Sequence, residues 1–287
     1  MAGNIITKGI TCVLTAALVI SGFMLEKKMN EYRIEQQKKV ETSLEMRSGR
    51  SVDFRKLKKV NKDAKAWLYL PDSPLDYPVL QAEDNDYYLH RDIYGNEIFE
   101  GSLFIDATNE NPFQDRNTVV YGHYMYSGSM FSCLEKYSDK KYFDRHKVIQ
   151  LTTEDGEYDI HVIAYCNEPA YSELYSTAFD EEDLGEGSYT VEDFLEQIRS
   201  KAKVLSKEPF DENDTYVTLS ACAYNYDEAR HQVIGIIREP GLVEKTHITE
   251  DPGRLNKWLL AQIGLGILIA FVLIIPFVRL RKERSCD

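Results

Sequence analysis

Short apolar runs rich in β-branched and aromatic residues recur along most of the chain, each broken by turn residues. That pattern predicts many short strands. They fall at 66–70, 77–80, 102–106 and 117–121, with Pro71, Pro74 and Gly101 as punctuation. Asp155-Gly156 between VIQLTT and EYDIHVIAY predicts a hairpin. Two last strands follow at 215–221 and 231–237. Helical spacing is rarer. It predicts a short amphipathic helix over 52–60 and a helix over 130–145 with Leu134 and Tyr137 turned inward. A third helix starts at the Thr190-x-x-Asp193 capping signal and runs to Lys203, with Val191, Phe194, Leu195 and Ile198 on one face. Residues 26–50, rich in Glu, Lys and Gln, read as a solvated helical stalk. The fold class expected is mostly β, a closed barrel with a few peripheral helices.

Two apolar runs stand apart from this domain. Gly9 to Leu25 holds 17 residues without a charge, and Trp258 to Val278 holds 21. Both reach the length of a transmembrane helix, so N- and C-terminal membrane helices are expected to flank the barrel. Arg279, Arg281, Lys282 and Arg284 follow the second run at once, which places that end inside and the middle outside. Lys8 before the first run, against Lys27 and Lys28 after it, fits this orientation less well. An uncleaved anchor is preferred to a signal peptide, because no small-x-small site ends the run. The expected organisation is an anchor at 1–25, a stalk at 26–50, a barrel domain at 51–240 and a linker at 241–257. A second span at 258–278 and a basic cytoplasmic tail at 279–287 complete it. The expected location is the cell membrane, crossed twice, with the domain extracellular.

A formal charge of −13, with no basic patch in the middle of the chain, argues against nucleic acid as a partner. Of the five cysteines, Cys12 lies in the first apolar run and Cys286 in the tail. Cys133, Cys166 and Cys222 are left in the exported part, so at least one thiol has no partner within it. Cys133 and Cys166 read either as a pair or as small buried hydrophobes. No paired Cys or His spacing suggests a metal.

The chemistry-bearing stretch is TYVTLSACAYNYDEARHQVIGIIR, residues 215–238. Cys222 ends one strand and Arg230 opens the next. Upstream, NTVVYGHYMYSGSMF at 117–131 puts His123 just past another strand. Thiol, imidazole and guanidinium at strand ends are the parts needed for acyl transfer through a thioester. Each has a plainer reading: a buried strand cysteine, one of six histidines, and a surface arginine paired with Asp227 or Glu228. His161 alternates within a strand, and His90, His146 and His231 read as surface residues. A papain-like protease is disfavoured, since His123 precedes Cys222 by 99 positions.

These residues resemble the sortases, membrane-anchored cysteine transpeptidases of Gram-positive bacteria. Their TLxTC signature appears as Thr218-Leu219-Ser220-Ala221-Cys222, with Arg230 on the next strand and His123 earlier. The likeness is to class B. It is carried by Tyr121-Gly122-His123, Gly128-Ser129-Met130-Phe131, Trp67, Asp76-Tyr77-Pro78-Val79 and Asp84-Asn85-Asp86-Tyr87-Tyr88-Leu89. Ala221 departs from the usual Thr. The C-terminal apolar run is similar to that of the pilus-building class C, yet only Asp72-Ser73-Pro74 stands where a lid motif would be sought.

The resemblance implies a sortase-type barrel in which Cys222 is the nucleophile, His123 the acid and base, and Arg230 the oxyanion stabiliser. It nominates Tyr121, Ser129, Ser220 and Ala221 as substrate contacts and calls for no cofactor. The partners implied are secreted proteins with a C-terminal sorting signal of the LPxTG or NPxTx type and an amine acceptor. That amine belongs to a lipid-linked peptidoglycan precursor or to a pilin. A cysteine hydrolase and a non-catalytic membrane-tethered scaffold are the alternatives.

Overall fold

The structure is a computed structural model and describes residues 20–24, 26–27, 46–180, 188–222 and 229–240. The chain divides into two units, Met1–Gly241 and Leu242–Asp287. The second unit, with the expected linker, second span and basic tail, lies outside the described residues. Of the first apolar run, residues 20–24 are described, as helix. Among the described residues no helix is long and apolar enough to cross a membrane.

A small hairpin of β1 (Arg47–Ser48) and β2 (Ser51–Val52) leads into helix α1 (Phe54–Val60). Strands β3 (Ala64–Tyr69), β4 (Asp76–Leu80), β5 (Leu103–Ile105) and β6 (Asn117–Gly122) follow. After α2 (Lys140–Arg145) come β7 (Val148–Thr153) and β8 (Glu157–Pro169). Helix α3 (Val191–Lys201), β9 (Val204–Leu205), β10 (Tyr216–Cys222) and β11 (Ala229–Arg238) complete the order. The sheet runs β11-β10-β6-β5-β4-β3-β7-β8-β9, and β11 also pairs with β8. Eight strands therefore close into a barrel, with β9 added outside, which bears out the mostly-β expectation. The β6–β10 and β4–β5 pairs are parallel, and the other pairs of the barrel are antiparallel.

The barrel interior is filled by alternate residues of each strand, among them Leu68, Leu103, Val120, Leu151, Val217, Leu219, Ala221 and Val233. The opposite faces are covered from outside. Phe194, Leu195 and Ile198 of α3 bury against Tyr216, Ile234 and Ile236. The Thr190–Asp193 capping box is present at the start of this helix. Around α1, Leu57 joins Trp67, Leu80, Tyr88 and Phe104 in a third cluster.

Three expectations are corrected. The helix foreseen over 130–145 is a 3-10 segment, Phe131–Ser138, followed by α2. Asp139 breaks them apart: its backbone is extended and its carboxylate accepts the Tyr142 N–H at 2.8 Å, the preferred use of an aspartate at a helix start. Leu134 and Tyr137 do turn inward, both with 0% exposure. His231, expected on the surface, is buried inside, where it shares a hydrogen bond with Tyr165 at 2.8 Å. Its parity on β11 matches that of inward Val233. Residues 46–50, read as the end of the stalk, pack on the barrel as part of the β1–β2 hairpin, with Arg47 paired to Asp76 and Arg50 to Asp159.

Candidate functional site

Strand register brings the three nominated residues to one end of the barrel. On the antiparallel β10–β11 ladder, Cys222 stands directly opposite Arg230. On the parallel β6–β10 ladder, Ala221 stands opposite Gly122, so His123, the residue after β6, comes level with Cys222, the last residue of β10. Direct opposition across an antiparallel ladder is the arrangement that brings side chains within reach of each other. The Cys222 side chain, with residues 223–228 and hence Asp227 and Glu228, lies outside the described part. Arg230 leaves β11 with the parity of Gln232 and Ile234, on the outer face.

His123 is half-buried, and its Nε2 lies 2.9 Å from the Leu89 carbonyl oxygen. A carbonyl only accepts, so the hydrogen sits on Nε2 and Nδ1 is the nitrogen left over. Two rings lie near-parallel to it, His90 with its centroid at 5.8 Å and Phe99 at 5.9 Å. Burial pushes the imidazole below its ordinary pKa. The Leu89 hydrogen bond and the Glu100 charge act in the opposite sense, and His90 adds to the depression.

A polar floor runs beside this end on the outer face. Tyr121 donates to Asp106 Oδ2 at 2.8 Å, and Asn85 Nδ2 donates to the same oxygen at 3.1 Å. Burial and the Asp106 charge push the Tyr121 phenol far up, so it stays a donor. The Tyr121 and Tyr175 rings stack at 6.0 Å. The Tyr175 hydroxyl meets Ser220 Oγ at 2.8 Å and accepts from Gln232 Nε2 at 2.9 Å. Of the four nominated substrate contacts, Tyr121 and Ser220 thus belong to one network. Ser129 is buried beneath a hydrogen bond with Ser127, and the Ala221 methyl faces the barrel core.

Sequence reading missed Tyr175, Asp106, Glu100 and the Leu89 carbonyl. Asp106, which follows the LFI strand and sits beside Tyr121, was open to recognition from its place at a strand end. A backbone carbonyl leaves no residue signature. Tyr88, in a motif without an assigned part, proves to anchor the turn carrying Leu89: its hydroxyl donates to Asp63 at 2.8 Å and accepts from Asn61 at 2.9 Å.

Cys133 and Cys166 are both free and buried, not paired. Burial pushes each thiol up to about 12, the state of an inert small hydrophobe. Among the described residues no group of three or more His, Cys, Asp or Glu is placed to hold a metal ion.

Burial also depresses His231. Two histidines that favour the neutral form when folded give stability a pH dependence. Below about pH 6.5 the unfolded chain binds more protons than the folded one, so stability falls as pH drops through that window. The unfolding midpoint is expected to decline between pH 7 and pH 5.5, and His231→Gln to flatten the decline. A midpoint that holds level or rises on acidification contradicts this.

No protein-family model matches the chain. It is 30% identical over 236 residues to the sortase B of Listeria monocytogenes, an alignment covering 79% of this chain and 94% of that protein. Among solved structures, a Staphylococcus aureus sortase B–substrate complex superposes with a TM-score of 0.60 at 28% identity, covering 75% of this chain and 98% of that one. A sortase B complexed with Gly3 superposes with a TM-score of 0.62 at 28% identity, covering 75% and 99%.

Proposed function

The chain belongs to the sortase B family of cysteine transpeptidases, and from that premise we propose that it cuts a C-terminal sorting signal of the LPxTG or NPxTx type and joins the secreted protein to an amine. The observation that carries the residue assignment is the register: Cys222 opposite Arg230, and His123 one step beyond the Gly122–Ala221 pair.

In this reading the Cys222 thiolate attacks the carbonyl carbon of the scissile peptide bond. Arg230 donates hydrogen bonds to the oxyanion that forms, a role suited to a fork of donors that never loses its proton. The C–N bond then breaks, and His123 gives its proton to the leaving amine. The product is a thioester and a released C-terminal peptide. An incoming amine loses a proton to His123 and attacks the thioester, and the C–S bond breaks to restore the thiolate. The Tyr121–Tyr175–Ser220–Gln232 floor offers the donor peptide a flat aromatic and polar surface beside the reacting groups.

Peptide donors and amine acceptors are supported by the relatives solved with a substrate and with Gly3. The lipid-linked wall precursor is the preferred acceptor, since the two apolar runs of the sequence would hold the domain outside the cell at the surface where that precursor and unprocessed substrates sit.

The test is intact-mass analysis of the full chain incubated with a panel of sorting-signal peptides, with and without an added amine. An acyl adduct that converts to an amide on amine addition is expected. Cleaved peptide with no amide under saturating amine would instead establish a hydrolase, and conversion only by a pilin lysine would establish pilus assembly. No adduct and no cleavage would favour the scaffold.

A further inference from the structure

We propose that the segment from Leu89 to Gly101 is a positioning clamp for His123. It fixes the hydrogen on Nε2, leaves Nδ1 to exchange protons, and sets the buried carboxylate of Glu100 where it favours the imidazolium. The inference rests on the reading of His123 as the proton carrier and deepens it.

The clamp is built from backbone. Residues Tyr88–His90 form a 3-10 turn whose three carbonyls have separate destinations. Tyr88 O accepts from Ser102 N at 3.0 Å and His90 O from Ile98 N at 3.0 Å. The carbonyl between them, that of Leu89, is the one His123 reaches. Ser102 Oγ adds a hydrogen bond to Arg91 O at 2.8 Å. The returning segment 98–102 therefore staples the turn on both sides of Leu89 and leaves its oxygen aimed at the imidazole.

Gly101 is what allows so close a return. Its φ is +57°, and a Cβ there would stand 2.3 Å from the Leu89 carbonyl oxygen and 2.6 Å from that of Tyr88. No side chain fits without displacing the oxygen that holds His123. The residue two places earlier supplies the Phe99 ring near-parallel to the imidazole, although Phe99 is itself 76% exposed.

Between these two lies Glu100. It is 8% exposed and accepts a hydrogen bond from Ser129 Oγ at 3.5 Å. It follows Phe99, whose ring centroid lies 5.9 Å from that of His123, and a buried carboxylate in that neighbourhood favours a protonated imidazole. Here it opposes the desolvation that depresses His123 and the like charge His90 would contribute. Of the other charged groups on this side, Arg91 and Glu97 pair with each other at 3.3 Å, and Asp86 lines the same groove as His90 and Phe99. Across the strand end stand Arg230 and Cys222. Glu100, Gly101 and Leu89 act through His123 and are positioning residues.

The experiment is an imidazole 15N titration of the full chain, with His123 assigned by comparison with His123→Gln. In the wild type the neutral ring is expected as the Nε2–H tautomer; a dominant Nδ1–H tautomer overturns the clamp. Glu100→Gln is expected to move the His123 midpoint to lower pH. The kcat/KM profile should shift in the same direction, with a roughly threefold to tenfold loss near neutrality and KM for the peptide unchanged. A midpoint and profile that stay in place overturn the part assigned to Glu100. Gly101→Ala is expected to mix the tautomers; should that variant fail to fold, the wild-type tautomer and Glu100→Gln decide alone. The titration reads the clamp without turnover, so a His123→Gln variant that kept its activity would sink the catalytic reading separately.

Discussion

Replacing Cys222 by alanine is expected to abolish both the acyl adduct and amide formation, while Arg230→Lys is expected to fold normally and lose about 10²–10³ in kcat. The contrast between the two tests the proposed nucleophile apart from its proposed electrostatic support. Alanine leaves nothing to form a thioester. Lysine keeps the charge at Arg230 but replaces a planar fork of five donors with a compact, mobile ammonium. If Arg230 only balanced surface charge, lysine would serve as well, and an unchanged kcat would end its assignment. The sequence placed both residues at strand ends, and the ladder makes them direct partners. Comparing burst amplitude with steady-state rate tells whether the loss lies in forming the thioester or in resolving it.

Gly122→Ala is expected to destabilise the fold by about 1–3 kcal/mol through overpacking, and to lower activity beyond what the lost stability explains. A Cβ at this position would lie 2.4 Å from Leu103 Cδ2 and 2.7 Å from Cδ2 of the Phe131 ring. Both neighbours are wholly buried in the barrel core. The added methyl must push β6 away from them, and His123 is the next residue along. The Phe131 N–H also donates to the His123 carbonyl oxygen at 3.1 Å, so the same displacement pulls on the histidine from both sides. Chemical denaturation and kcat/KM measured together check this. Adding Leu103→Ala in the same chain should cost less than the sum of the two single changes, because they share one space. If Gly122→Ala matched the wild type in both measurements, the glycine of the Tyr-Gly-His motif would have no packing role.

Much of this architecture is legible in the amino-acid sequence. The strands around Trp67, Val79, Phe104 and Val120 announced themselves through β-branched and aromatic runs, and the Asp155-Gly156 hairpin through its turn residues. Thr190 and Asp193 marked the start of α3 by a local contact, and local contacts are what sequence spacing records best. Cys222, His123 and Arg230 stand out in the sequence because each is a rare chemical type at a strand end, and the register brings those strand ends together. Closure of β8 on β11 was not legible, since pairing between distant strands follows from three-dimensional fit. His231 was misjudged because a polar side chain gives no sign of the Tyr165 hydroxyl that satisfies it inside the barrel. Leu89 was invisible for another reason: it contributes an atom that every residue possesses, and only the backbone path around Gly101 gives that atom its place.

The parallel pairing of β6 with β10 has a consequence for the life of the chain. These strands are adjacent in space but separated by the whole of α2, β7, β8, α3 and β9 in sequence, and closing so long a loop comes late in folding. A nascent chain that has emerged only as far as His123 holds an imidazole with no thiol to serve. One that has emerged to Cys222 still lacks the strand bearing Arg230. On the proposed assignment, His123, Cys222 and Arg230 come together only when the last strand docks between β10 and β8, so a half-made chain would lack part of the set.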